Sequence, residues 1–244
     1  MKYKKIIVMA FFSSLFGCDN TLTGPDFNVQ ESKVIDITDV YRVDYQMPGN
    51  MATEFGFSEK YKQQPKSITI KDYKNLEFEN DYWYQSSSLD VGMWEYYRGS
   101  KRTEKNIAAE LSVRISINKT DSNHTAELID YINNAYEVFV KEANDKTRSY
   151  YPEHTDADLG DWLIKMPQIE TRSLSSKNAL TWATYGEVKG RHLKYIAVPI
   201  DSQYYLNIRF RYSYSAKDNN ELEKLQAMLS NDIEKIVSSI TIKN

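Results

Sequence analysis

The feature that most constrains the fold is a strict two-residue alternation over residues 204–214. Large apolar or aromatic side chains occupy every second position, and mostly polar or basic side chains lie between them, such as Asn207, Arg209 and Arg211. Because successive side chains of a strand point to opposite faces, this pattern predicts a strand with one buried and one wetted face. Residues 109–117 alternate in the same way. Such alternation is typical of antiparallel sheets, since a sheet covered on both faces shows continuous apolar runs.

The remaining elements complete an α+β pattern. Weaker strand patterns cover residues 76–84, 91–97, 180–188 and 192–200. Two segments show helical spacing of apolar residues, one near 126–144 and one from about Glu221 to Ser238, where Asp218 and Glu221 form a capping pair. We expect a short third helix near 158–165. Strands in adjacent runs, interrupted by helices in two places, predict an antiparallel β-sheet with the two main helices packed on one face.

The first residues have the form of an export signal. Lys2, Lys4 and Lys5 give a basic start, and residues 6–16 contain no charged side chain. An apolar run of this length is too short to span a bilayer, which takes roughly 20 residues. A basic start, a short apolar run and a small residue before the cut are typical of a secretory signal peptide. We therefore predict that residues 1–17 are a signal peptide.

The chain has one cysteine, Cys18, which ends the stretch LFGC. This stretch resembles the lipobox of bacterial lipoproteins, in which the cysteine sulfur receives a diacylglycerol, the leader is removed, and the new amine takes an acyl chain such as palmitate. A thiolate is a better nucleophile than a hydroxyl, which suits it to accept the lipid. More than one acyl chain gives stable membrane anchoring. The alternative is an ordinary signal peptide followed by an incidental cysteine.

The segment after Cys18 bears on location. Asp19 resembles the signal that keeps enterobacterial lipoproteins in the inner membrane, with the outer membrane as the alternative. Either membrane places the folded part in the periplasm. Residues 18–32 are polar and contain a Gly-Pro pair, so we predict a lipidated tether there, followed by a single α+β domain over residues 33–244. With no second cysteine for a disulfide, that domain must depend on its core.

Charge excludes one class of partner. Removing the three leader lysines from the 31 basic side chains leaves 28 against 34 acidic ones, a formal charge of −6. A nucleic-acid binder usually carries a basic patch or stripe, so we expect no nucleic-acid partner. The same balance argues against broad electrostatic adhesion to anionic lipid, which leaves the lipid anchor as the expected membrane contact.

The sequence carries no recognisable catalytic set. The three histidines, His124, His154 and His192, are not at metal-ligand spacing, and the chain has no HExxH, GxSxG or Gly-rich phosphate loop. We therefore expect a non-enzyme without metal or cofactor. A hydrolase with an unrecognised pair of carboxylates is the alternative, and a pocket with two carboxylates at roughly 5–9 Å would indicate it.

The densest acidic stretch is EHTDADLGDW, at residues 153–162. It lacks the register and the distant Glu of an EF-hand, so we expect no calcium site. One interpretation is a solvated loop leading into a helix whose first turn favours acids. Clustered carboxylates beside an exposed aromatic side chain would alternatively fit a basic cleft on another protein. The candidate partner-binding residues are therefore Asp156, Asp158, Asp161 and Trp162.

A family resemblance covers residues 177–243. This part contains ALTWATYGEVKGRHLKYIAVPI, then YYLNIRFRYSY, then ELEKLQAMLSNDIEKIVSSITI: a Trp-bearing strand, a basic turn, two further strands and a closing helix. It resembles periplasmic proteins with a PsbP/DcrB-like sheet, and more particularly the C-terminal domain of immunity proteins that protect bacteria from type VI secreted phospholipase effectors. The resemblance implies an immunity lipoprotein that binds and neutralises a cognate effector in the periplasm. A structural or assembly lipoprotein of an envelope complex, without a toxin partner, is the alternative.

Overall fold

The computed structural model of the chain describes residues 21–49, 65–81, 84–120, 127–185 and 191–244. The strands are β1 (Leu22–Thr23), β2 (Gln30–Ile37), β3 (Tyr41–Pro48), β4 (Ser67–Ile70), β5 (Glu79–Asp81), β6 (Tyr84–Arg98), β7 (Ile107–Lys119), β8 (Glu170–Leu174), β9 (Lys177–Tyr185), β10 (Arg191–Pro199), β11 (Tyr204–Tyr214) and β12 (Thr241–Lys243). The α-helices are α1 (Leu128–Tyr150), α2 (Asp156–Leu159) and α3 (Asn219–Ser239). None of the helices in these residues is both long and apolar enough to cross a membrane.

The strands form two sheets. The large sheet has eight strands in the order β1-β6-β7-β11-β10-β9-β8, with β5 also pairing with β6, and its pairings are antiparallel. The small sheet has the order β12-β3-β2-β4, in which β2 and β4 are parallel and the other pairs are antiparallel. The predicted α+β class with a large antiparallel sheet is confirmed. The sequence pattern did not predict the second sheet.

The strongest sequence patterns give the elements they predict. β11 spans the alternating run, with Leu206, Ile208 and Phe210 fully buried and Arg211 exposed, but Tyr205 and Asn207 of the predicted wetted face are also buried. α3 begins after the predicted cap, since the Asp218 carboxylate accepts the backbone N–H of Glu221 at 2.8 Å. The predicted third helix is present only in part, because α2 ends at Leu159, a 3₁₀ turn covers Gly160–Trp162, and residues 163–165 are not helical. Periodicity and capping therefore fix the main elements locally.

One face of the large sheet packs against the small sheet and α3, and this contact forms the main core. Two hydrogen bonds also join the sheets there. The indole N–H of Trp94, which is 1% exposed, donates to the carbonyl of Pro48 at 3.1 Å, and the Tyr41 hydroxyl donates to the carbonyl of Val198 at 3.3 Å. The main core contains residues of the small sheet, the large sheet and α3, including Ile35, Val43, Leu111, Phe210, Leu229 and Ile233.

The helix α1 covers the opposite face of the large sheet. Its residues Ile132 and Tyr136 pack with Tyr195 of β10 in a second cluster, whereas the neighbouring Ile196 packs in the main core with α3. Because adjacent residues of a strand point to opposite faces, α1 and α3 lie on opposite sides of the sheet. The prediction that both helices pack on one face is therefore wrong. The reason is visible in β10, whose continuous apolar run over residues 195–198 is typical of a strand covered on both faces.

Residues 21–29, here called the N-terminal segment, contact the large sheet and α3. Leu22 and Thr23 pair with the end of β6, and β2 begins at Gln30. Between them, the Lys235 ammonium lies 4.4 Å from the centre of the Phe27 ring. The predicted tether reaches residue 32, yet the fold includes residues from Leu22 onward. The reason is that β1 pairs with the open edge of β6. Residues 1–20, which hold the predicted signal peptide, Cys18 and Asp19, lie outside the described residues.

Candidate partner-binding surface

Residues 151–166, here called the aromatic–acidic loop, contain the predicted partner-binding residues and fold back along the end of α1. The side-chain amide of Asn144, in α1, holds one end of this loop. It donates to the carbonyl of Ile164 at 2.9 Å and accepts the backbone N–H of Ile164 at 2.8 Å. Asn144 is 9% exposed, so these two hydrogen bonds are shielded from water. The loop is thus fixed to the helix at this end.

A bidentate ion pair holds the other end of the loop. The guanidinium of Arg148, in the last turn of α1, donates to the two carboxylate oxygens of Asp156 at 2.8 and 3.0 Å. The same guanidinium donates to Asp145 at 3.0 Å. These hydrogen bonds from Arg148 lower the pKa of the Asp156 carboxyl. Such an exposed pair adds little to stability, but its forked geometry sets the direction in which the chain leaves α1.

Asp158 completes the capping box of the short helix α2, in which Thr155 is the N-cap residue. Its carboxylate accepts the backbone N–H of Thr155 at 2.9 Å and the Thr155 hydroxyl at 2.6 Å, which lowers the pKa of Asp158. Leu159, the last residue of α2, is buried. Gly160 then has a φ of 42°, a left-handed conformation that favours glycine, and the following 3₁₀ turn ends at Trp162. The cap and the turn therefore determine where Trp162 is placed.

Exposed hydrophobic side chains are concentrated on this loop. Six large hydrophobic side chains of the described residues are exposed, and four of them lie in the loop or next to it: Tyr150, Tyr151, Trp162 and Met166. Trp162 is 54% exposed, and its ring meets that of Tyr151 edge-to-face at 5.0 Å between centroids. Exposed apolar side chains gathered in this way are typical of interaction sites. This surface can bind another molecule through apolar contact and the Trp162 indole N–H.

The structure assigns the predicted residues different roles. It brings Asp156, Asp158 and Trp162 into one loop, but Asp156 is engaged by Arg148 and Asp158 completes the capping box of α2, while Trp162 faces solvent. Asp161 lies in the 3₁₀ turn, and its side chain is outside the described residues. The exposed surface of the loop is therefore mainly aromatic. The sequence reasoning missed Tyr150 and Tyr151, because it ended the helix near residue 144.

The described residues contain few groups arranged for metal binding or catalysis. They contain no group of three His, Cys, Asp or Glu side chains that could hold a metal ion. His192 stacks between the rings of Tyr212 and Tyr214, at 5.0 and 5.1 Å between centroids, and burial lowers its pKa. Glu95 and Glu110 face each other across β6 and β7, and the Glu95 carboxylate forms an ion pair with Arg102. His192 and Glu95 are thus held by contacts within the fold.

Comparisons with known proteins add little to this geometry. No family model matches the chain, and no curated protein matches it. Among solved structures, the chain is similar to the crystal structure of LpqN, which is involved in cell envelope biogenesis of Mycobacterium tuberculosis. The match has 8% sequence identity and a TM-score of 0.33, and it covers 66% of this chain and 92% of that chain. At these values the similarity supports no argument about function.

Proposed function

We propose that the protein is a periplasmic immunity lipoprotein that binds and neutralises a type VI secreted effector, a phospholipase. The observation that carries this proposal is the exposed aromatic cluster on the aromatic–acidic loop. In this proposal, Cys18 holds the chain to the membrane and the folded body contacts the effector. The inner membrane is favoured by Asp19, and the outer membrane is the alternative.

The loop has the properties of a good binding element. Trp and Tyr are enriched among the residues that carry most of the energy of protein interfaces. The loop is also held at both ends, by Asn144 and by Arg148, so binding does not have to order it. Lower ordering costs leave more of the contact energy as affinity. Trp162 would enter a cleft of the effector, and the exposed Glu153 would lie at the polar rim.

The toxin class rests on the resemblance over residues 177–243. The order of elements there supports it, because β9 carries Trp182 and is followed by β10, β11 and the closing helix α3. The basic turn between β9 and β10 lies outside the described residues. We propose a PsbP/DcrB-like arrangement for this part, with α1 as an addition on the other face of the sheet.

A protection assay tests the proposal. A secreted phospholipase from the source organism, chosen first from any gene that neighbours the gene for this chain, is directed to the periplasm of cells that produce either the wild-type chain or the variant Tyr151→Ala/Trp162→Ala. We expect the wild type to restore growth and the variant to protect far less at equal abundance. The matched control is Val138→Ala, because Val138 is 59% exposed on α1 and about 18 Å along the helix from Tyr150.

The outcomes separate the two functions. Failure of the wild-type chain to protect against the candidate effector, with stable recovery of the chain in an envelope complex, would favour the structural or assembly lipoprotein. Equal protection by the wild type and the double variant would keep the immunity function but remove the aromatic–acidic loop from it.

A further inference from the structure

The start of the N-terminal segment is hydrogen-bonded to the connection between β6 and β7, residues 99–106, here called the β6–β7 turn. The backbone N–H of Gly99 donates to the carbonyl of Thr21 at 2.7 Å, and the Thr23 hydroxyl donates to the carbonyl of Gly99 at 2.8 Å. Leu22 and Thr23 also pair with the last two residues of β6. These contacts fix Thr21 at one end of the large sheet.

Chain length limits the distance between this turn and Cys18. Cys18 is three residues before Thr21, and three residues span at most about 11 Å even when the chain is fully extended. In the proposed function Cys18 carries the lipid, so its backbone lies at the surface of the bilayer. The β6–β7 turn, which is hydrogen-bonded to Thr21, is therefore the part of the large sheet nearest to the lipid headgroups.

The side chain of Asn106 holds the β6–β7 turn in a fixed shape. Its amide nitrogen donates to the carbonyls of Arg98 and Lys101 at 2.6 and 2.8 Å. Its amide oxygen accepts the backbone N–H of Thr103 at 2.7 Å. Because the turn is already ordered, contact with a surface does not have to pay for ordering it.

The exposed charges of the turn are mainly basic. Lys101 and Lys105 are exposed, and neither forms an ion pair within the described ranges of the chain. Glu104 is the exposed acid between them, and Arg102 forms an ion pair with Glu95 of β6. Attraction of a lysine to an anionic membrane falls off within a Debye length, about 8 Å at physiological ionic strength. The short reach from Cys18 brings both ammonium groups close to this range.

We propose that the β6–β7 turn lies on the membrane surface, where Lys101 and Lys105 contact the phosphates of anionic phospholipids. Because this contact needs the lipid on Cys18, it depends on the proposed function. The lipid supplies the attachment and the two lysines orient the folded body, which agrees with a net charge that disfavours broad adhesion to anionic lipid. The other end of the large sheet, where Tyr204 pairs with Lys119, then points away from the bilayer.

Fluorescence quenching in vesicles tests this orientation. The full chain, with lipid on Cys18, is placed in vesicles of equal parts phosphatidylcholine and phosphatidylglycerol that contain a lipid with a nitroxide on its headgroup. A fluorophore is attached to Ser100→Cys in the β6–β7 turn or to Ser202→Cys in the turn between β10 and β11, since both serines are exposed. We expect strong quenching in Ser100→Cys and little in Ser202→Cys.

Two double variants test the lysines. Lys101→Gln/Lys105→Gln removes both charges from the turn, so we expect quenching in Ser100→Cys to fall about twofold, to the level in vesicles of phosphatidylcholine alone. The matched control is Lys71→Gln/Lys74→Gln, because these exposed lysines lie near the turn between β10 and β11. The control should be quenched like the wild type. Equal quenching in the two double variants would overturn the contact of the lysines with anionic headgroups.

Mass spectrometry of the purified chain separates this contact from the proposed function. A diacylglycerol on Cys18 together with equal quenching in Ser100→Cys and Ser202→Cys would overturn the orientation and leave the immunity function intact. An unmodified Cys18 would instead overturn the membrane anchor of the proposed function, and the contact of the turn with it.

Discussion

Lys33 and Asp90 form an ion pair that is enclosed between the two sheets. The ammonium of Lys33 lies 2.9 Å from each carboxylate oxygen of Asp90, and the two side chains are 2% and 0% exposed. The hydroxyl of Tyr45 donates to the same carboxylate at 2.6 Å, and the backbone N–H of Val91 donates at 2.9 Å. A buried pair is tolerated only when its remaining lone pairs are hydrogen-bonded in this way. The pair ties the small sheet to β6.

Replacing Lys33 tests this connection. Lys33→Met leaves the Asp90 carboxylate buried without its counter-charge, and we expect a loss of about 3–5 kcal/mol in the free energy of unfolding. Urea denaturation gives the value. The double variant Lys33→Met/Asp90→Asn removes the second charge as well and should recover part of the loss. If Lys33→Met is as stable as the wild type, the ion pair contributes little to the free energy of unfolding.

Acid should weaken the contact between β6 and α3. The guanidinium of Arg98 donates to the carboxylate of Glu221 at 2.6 and 2.9 Å, which lowers the pKa of Glu221 from 4.5 to about 2. Because the pKa in the folded chain lies below the unfolded value, the stabilisation is present above pH 4.5 and is lost as the pH falls toward 2. We expect it to amount to roughly 2–3 kcal/mol.

Denaturation midpoints between pH 6 and pH 2 measure this effect. Glu221→Gln should lower stability at pH 6 and make the acid slope shallower. Glu223→Gln is the matched control, since Glu223 is an exposed residue in the same turn of α3. If the stability of the wild type and of Glu221→Gln falls equally steeply with decreasing pH, the Arg98–Glu221 pair is not the source of the acid sensitivity.

The position of α1 can be tested through one hydrogen bond. The buried indole N–H of Trp182 donates to the hydroxyl of Tyr136 at 3.0 Å, and the Trp182 ring stacks on Tyr195 at 5.0 Å. Tyr136→Phe leaves this donor without its acceptor, so we expect a loss of about 1–3 kcal/mol by chemical denaturation. Tyr150→Phe, on the exposed end of the same helix, should be neutral. Equal stability of the two variants would contradict the packing of α1 on this face.

The N-terminal segment depends on a close approach at Gly24. A Cβ added to Gly24 would lie 2.7 Å from Cδ1 of the buried Tyr96 ring. We therefore expect Gly24→Ala to displace the segment and to speed hydrogen exchange of backbone amides in residues 21–29, with little change elsewhere. Val29→Ala is the control, because Val29 is 57% exposed. Unchanged exchange in Gly24→Ala would show that the segment can move away from Tyr96 without cost.

Periodicity predicted the elements in which apolar side chains recur at one regular spacing. β11 and α3 each carry apolar side chains at nearly every position of one face, so their sequence patterns were readable, although residues 204–208 of β11 are buried on both faces. The small sheet was missed because β2 contains Lys33, a charge that is acceptable in a core only beside Asp90, and the two residues are far apart in sequence. The continuous apolar run over residues 195–198 does indicate a strand covered on both faces, in contrast to the alternating pattern of residues 204–214.

The candidate site was predictable only in part. Composition singled out Trp162, but the capping role of Asp158 and the ion pair of Asp156 depend on how the loop folds onto α1. The contact of Thr21 with Gly99 depends on strand pairing, which alternation in each strand does not reveal. Local patterns therefore predict elements, and the contacts between distant elements decide the sites.

The most direct test of the proposed function is the affinity of the full chain for the proposed effector, measured by calorimetry with the wild type, Trp162→Ala and Val138→Ala. Both variants should unfold within about 0.5 kcal/mol of the wild type, because each changes an exposed side chain. We expect Trp162→Ala to weaken binding by about 2 kcal/mol or more and Val138→Ala to bind like the wild type. Wild-type affinity in Trp162→Ala would contradict the proposal that the aromatic–acidic loop binds the effector.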